Sequence, residues 1–187
     1  MDISGQSMNI RAWAHEMSHM QLAPEQQEAY AKALTNYHIA IGKLFGVPSK
    51  EEKEDLYSGA FNLLADYVDD VVSENYLLLF AIVVQELQDY NFELSEDAVD
   101  KKIEIYLKFI KEYQYDSTDD ELYEHLLNKM YYNLGFIFLE GQELPKDENL
   151  AYLMFDITRQ RGLEESAETI LQQFYKGGDG KWYFCGE

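Results

Sequence analysis

Apolar residues recur along this chain at helical spacing almost throughout, and that periodicity constrains the fold more than any other feature. Tyr30, Ala33, Leu34, Tyr37, Ile41, Leu44 and Phe45 fall at i, i+3, i+4, i+7 steps, as do Leu56, Ala60, Leu64, Tyr67, Val68 and Val71. A third series runs Val99, Ile103, Tyr106, Leu107, Ile110, and a fourth Leu122, Leu126, Met130, Leu134, Ile137. The segment from Asn75 to Gln88 is apolar nearly all round, which suits a central helix contacted on several sides. Ser49 with Glu52, and Thr118 with Glu121, fit the capping box that satisfies orphan backbone donors at a helix start. Gly46 with Pro48, Gly141 with Pro145, and Gly162 supply stops. No sustained alternation of polar and apolar residues appears. Only Lys181 to Cys185, after the turn-like Gly177 to Gly180, reads as extended. The expected fold class is all-α: about eight helices and no real sheet, in a single domain over residues 1–187, with 177–187 as a C-terminal tail.

The charge is the second constraint. With 15 basic and 35 acidic residues in 187, the formal net charge is −20, yet 47% of the residues are apolar, enough to bury a core. Residues 51–148 alone hold 25 acids and 7 bases, a net of −18. Many of these acids stand near helix starts, where they complement the macrodipole. That accounts for individual clusters better than for the total. An uncompensated charge of this size costs self-repulsion, and it opposes contact with nucleic acid phosphates or anionic membranes while favouring a basic protein partner. One cysteine, Cys185, leaves no intramolecular disulfide and no cysteine-based zinc site. The start, MDISGQSMNIRAW, has neither a basic n-region nor an apolar h-region, and the longest apolar run, Tyr76 to Val84, is half a membrane span. A cytoplasmic location is the expectation.

From Tyr132 the chain reads YNLGFIFLEGQELPKDENLAYLMFDITRQRGLEESAETIL, which resembles a Sel-one-like repeat, a relative of the tetratricopeptide repeat. The matching positions are Leu134-Gly135, Phe138, Gly141, Leu144, Asp147, Ala151, Phe155, Gly162, Ala167 and Leu171. Glu143 stands where the family has a loop glycine, and Thr158-Arg159 replaces a customary pair of alanines. The resemblance covers one unit, about residues 132–176, with an echo at Tyr106 to Phe109. It implies stacked antiparallel helix pairs with a groove for other proteins, not a catalyst.

One motif argues for chemistry. His15-Glu16-Met17-Ser18-His19 matches H-E-x-x-H, in which two histidines a helical turn apart hold Zn²⁺ and the glutamate polarises a bound water. The metzincin extension would place glycine at 22 and histidine at 25, whereas Leu22 and Glu25 stand there. A third ligand would have to come from elsewhere, such as Glu51 to Asp55 or Asp66 to Asp70. Ile10, Trp13, Met17 and Met20 form the apolar stripe of this segment and turn both histidines to the opposite face. Asp116 to Glu121 lacks the glycine and the twelfth-position glutamate of a calcium loop.

The expectation is therefore a non-enzymatic binding module without a cofactor. Its size, acidity and lack of a catalytic motif are similar in type to bacterial immunity proteins and antitoxins. Such proteins occlude a basic toxin domain, often a nuclease. The expected interface is one acidic set: Asp66, Asp69, Asp70, Asp116, Asp119, Asp120 and Glu124. The alternatives are a zinc hydrolase using His15, Glu16 and His19, and a helical-repeat adaptor.

Overall fold

The computed structural model describes residues 22–44, 46–113, 120–162 and 165–186. Seven helices and one two-stranded sheet lie within them: α1 Pro24–Ala40, α2 Lys50–Ala65, α3 Glu74–Asp89, α4 Glu96–Tyr113, α5 Glu121–Glu140, α6 Glu148–Arg161, α7 Glu165–Leu171, β1 Phe174–Lys176 and β2 Trp182–Phe184. The chain is thus predominantly helical. It divides into two compact units, Met1–Thr118 and Asp119–Glu187. No described helix is long and apolar enough to cross a membrane.

In the first unit α3 is the core. Its residues from Asn75 to Val84 are all buried, and α2 and α4 pack against it. Each large aliphatic or aromatic side chain removed from water there contributes about 1.5–3 kcal/mol. Two tyrosines at this core keep their hydroxyls bonded: Tyr76 donates to the Leu64 carbonyl at 2.9 Å and Tyr106 to the Ala81 carbonyl at 3.3 Å. Helix α2 begins as its sequence dictates. The Glu52 amide donates to Ser49 Oγ and the Ser49 amide donates to Glu52 Oε2, the reciprocal pair of a capping box. Helix α1 ends earlier than its apolar series, which runs on to Phe45. The chain turns at Gly42, whose φ of 77° leaves the helical region, and Leu44 emerges to solvent.

The second unit is built on the α5–α6 hairpin. Asp120, not Thr118, is the N-cap of α5: its carboxylate accepts from the amides of Leu122 and Tyr123. A carboxylate at this position makes a charge-assisted bond to the orphan donors, and here it replaces the expected threonine box. Gly141 and Gly162 close α5 and α6 in the left-handed region, at φ 72° and 71°. Gly135 lets the helices meet, since a Cβ placed there would lie 2.5 Å from the ring of Phe155.

The expectation of no sheet is corrected at the C-terminus. Phe174 pairs with Phe184, Tyr175 with Tyr183 and Lys176 with Trp182, antiparallel, around the expected glycine turn. The turn itself is closed by the Gly177 amide on the Lys181 carbonyl at 2.8 Å. The segment read as extended, Lys181 to Cys185, contains β2, whereas β1 carries no sequence signal because three residues are too few to show alternation.

Candidate interaction surface

In the first unit, α2 is capped at its C-terminus by Asp66 and continues as a turn through residues 66–70. Val68 and Val71 are buried and pin this turn to the core, which leaves Asp66, Asp69 and Asp70 exposed. Lys101 on α4 reaches the turn: its Nζ is 2.9 Å from Asp69 Oδ1 and 3.2 Å from Glu104 Oε2. The Asp69 carboxylate, and then Glu104, hold the Lys101 ammonium above its ordinary pKa. The side chains of Asp69 and Glu104 remain 80% and 71% exposed, so both carboxylates still face water. Asp97 and Asp100 are exposed on the same helix and, with Lys101 and Glu104, follow the i, i+3, i+4, i+7 spacing of one face. The result is a surface on which two carboxylates share one cation and further carboxylates on the same turn and helix stand exposed. Asp97, Asp100 and Glu104 were not among the residues expected at the interface, although their spacing was present in the sequence.

Of the expected acidic set, Asp66, Asp69 and Asp70 lie together on the turn after α2. Asp120 and Glu124 belong to the second unit, where both have structural roles. Asp120 caps α5 as described. Glu124 accepts from Arg161 Nη1 in an ion pair whose side chains are only 19% and 14% exposed, and the Arg161 guanidinium lies 5.5 Å from the centre of the Tyr131 ring. Asp116 and Asp119 lie outside the described residues, as do His15, Glu16 and His19. Among the described residues, no three His, Cys, Asp or Glu side chains are grouped to hold a metal ion.

A different electronegative place lies where the first turn of α2 meets the last turn of α3. Lys50, Glu54 and Tyr57 share one face of α2 at i, i+4, i+7, while Glu86, Asp89 and Tyr90 share a face of α3. The Tyr57 and Tyr90 rings lie 6.0 Å apart, with Tyr37 of α1 6.4 Å behind Tyr57. Burial, followed by the charge of Glu86, raises the Tyr57 phenol far above its ordinary pKa; it stays protonated and hydrogen-bonds to Glu86. Burial and the charges of Glu86, Asp89 and Glu54 also raise Tyr90.

Behind this place a polar network runs from a buried lysine to the surface. Lys102, fully buried, donates from Nζ to Gln85 Oε1 at 2.7 Å and Gln88 Oε1 at 2.5 Å, and Gln85 donates onward to Asp89 Oδ1 at 2.9 Å. The network fixes the end of α3 and orients the Asp89 carboxylate. Sequence periodicity could not find it, because spacing on α4 does not say which residues of α3 receive Lys102. Compared with known proteins, the chain matches no family model, no curated protein and no solved structure.

Proposed function

We propose that this protein is a non-enzymatic binding module that captures a basic protein through carboxylates of its first unit. The most specific form of the proposal is an immunity- or antitoxin-type inhibitor that occludes a toxin domain, such as a nuclease with a cationic cleft. The observation that carries it is the surface around Lys101, where Asp69 and Glu104 share one ammonium and the neighbouring Asp66, Asp70, Asp97 and Asp100 are exposed. Such a surface costs self-repulsion in the free protein and gains when Lys and Arg of a partner replace water. Opposite charge also steers encounter and speeds capture, which suits an inhibitor that must act before damage occurs.

The α5–α6 hairpin supports the companion proposal of a Sel-one-like helix pair. Gly135 against Phe155, Ala151 at full burial and the left-handed glycines at 141 and 162 are what such a pair needs. On that reading the module is a short helical stack that works by binding, either as an inhibitor or as an adaptor.

The test is charge reversal. The variant Asp66→Lys, Asp69→Lys, Asp70→Lys should lose at least about a hundredfold in affinity for the basic protein crosslinked to the wild type in cells, with helical circular dichroism retained. Unchanged affinity would overturn the assignment of this surface. The zinc-hydrolase alternative is separated by elemental analysis of protein purified without tag or chelator. Near one zinc per chain, lost in His15→Ala, would replace the binding reading with that one.

A further inference from the structure

We propose that the corner between the first turn of α2 and the last turn of α3 is the seat for one arginine of the basic partner, its guanidinium stacked on Tyr90 in the place of Lys50 and donating to Glu54 and Asp89. The inference rests on the basic-partner reading and narrows it to a residue type and a location.

The first argument is that a cation already stands there. The Lys50 ammonium lies 5.8 Å from the centre of the Tyr90 ring, within cation–π range. Lys50 is exposed and forms no ion pair among the described residues. It is therefore held loosely and can swing into water. The second argument is the field. The dipoles of the α2 N-terminus and the α3 C-terminus oppose each other at the corner, so the carboxylates decide its sign: Glu54, Glu86 and Asp89 all act electrostatically on the Tyr90 hydroxyl. The third is rigidity. Tyr57 is 3% exposed and hydrogen-bonded to Glu86, and Gln85, itself held by buried Lys102, orients Asp89. Tyr57 and Asp89 therefore lose less side-chain entropy when a ligand arrives than free surface groups would.

Arginine suits this geometry better than lysine. A planar guanidinium stacks on a ring face while its N–H groups reach acceptors at the ring edge, and it sheds water more readily than an ammonium. Tyr90, half-buried with its ring turned to the corner, is the kind of aromatic that anchors an interface.

The test uses the full chain at low ionic strength, titrated with a peptide of eight arginines and, separately, with one of eight lysines. Binding is read from the aromatic NMR signals of Tyr57 and Tyr90 and the amide signals of Glu54 and Asp89. The expected result is that these signals move most and that the arginine peptide binds about threefold to tenfold more tightly. Tyr90→Leu should lower its affinity about tenfold, Tyr90→Phe, which keeps the ring, should restore it, and Lys50→Met should raise it about threefold. If the signals that move are those of Asp69, Asp97 and Glu104 alone, or if Tyr90→Leu binds like the wild type with its helical circular dichroism intact, the seat is overturned while the basic-partner reading stands. If neither peptide gives a saturable response, both are overturned.

Discussion

Gly135 shows how much one hydrogen atom decides. Its φ is unremarkable for a helix, so the requirement is space: a methyl group there would sit 2.5 Å from Cε1 and Cζ of Phe155, itself fully buried and stacked edge-on against Tyr132 and Phe136. The ring cannot retreat without repacking that cluster. Gly135→Ala should therefore destabilise the second unit by about 1–3 kcal/mol. Urea denaturation followed by Trp182 fluorescence in a Trp13→Phe background measures it, and a stability equal to wild type would show that α5 and α6 can move apart freely. Residues with special jobs of this kind were partly legible. The Gly135–Phe155 proximity follows from a repeat resemblance, but the Lys102 network does not. Lys102, fully buried, falls on the stripe of Ala98, Ile105, Tyr106 and Phe109, whereas Lys108 is exposed on another face of the same helix; the spacing places Lys102 toward the core, but not the Gln85 and Gln88 that receive it there.

At the scale of elements, the C-terminal hairpin acts as a lid on α6. Trp182 stacks on Tyr152 with ring centres 3.7 Å apart, and Phe174 packs against Tyr152 and Phe155. The β2 amides are satisfied from the first turn of α6: Trp182 N–H donates to Asn149 Oδ1 at 2.8 Å and Phe184 N–H to Glu148 Oε2 at 3.1 Å. Edge donors paired in this way cannot recruit another strand. Lys146, with a contribution from the Phe184 amide, holds the Glu148 carboxyl below its ordinary pKa. A carboxyl depressed on folding stabilises the native state above its unfolded pKa, and that contribution is lost as pH falls through the folded value. Trp182 fluorescence should thus be flat from neutrality to about pH 5 and change below about pH 4, as the hairpin loosens. Glu148→Gln should remove most of this pH response. A wild-type profile in the variant would place the titrating group elsewhere.

For the molecule as a whole, −20 over 187 residues predicts opposite effects of salt on folding and on association. Raising sodium chloride from about 20 to about 200 mM shortens the Debye length from about 20 Å to about 7 Å and screens repulsion among exposed acids. The midpoint of thermal unfolding should rise by a few degrees, about 2–5 °C, while affinity for a basic partner falls at least about tenfold. Differential scanning calorimetry and isothermal titration calorimetry over the same salt series check the pair. A falling unfolding midpoint would mean that ion pairs such as Lys101 with Asp69 outweigh the net repulsion. The charge total and its concentration in residues 51–148 were legible directly. The grouping was not, because Asp120 and Glu124 look the same in sequence as Asp69 and Asp70.

The sequence by itself determined what is decided within one or two helical turns. The apolar period located α1, α2, α4 and α5, although α4 buries Ala98, Ile105, Tyr106 and Phe109 and not the expected Val99, Ile103, Leu107 and Ile110; the all-round apolar run from Asn75 to Gln88 became the buried core helix, and Ser49 with Glu52 closed the cap of α2. Each depends on residues three or four apart on one helix, so no knowledge of neighbours is needed. Only the tertiary structure decided which face meets which. A helical period says that Gln85, Gln88 and Lys102 lie on certain sides of α3 and α4, but not that those sides oppose one another. It says that Asp69 and Lys101 are 32 positions apart, but not that a turn pinned by Val68 and Val71 brings them to 2.9 Å. The same holds for Tyr57, Tyr90 and Lys50, whose meeting depends on α2 and α3 packing with their opposite ends together. Side chains on one helix are related by a fixed rotation, whereas those on different helices are related by the packing of a core that every buried residue shapes at once.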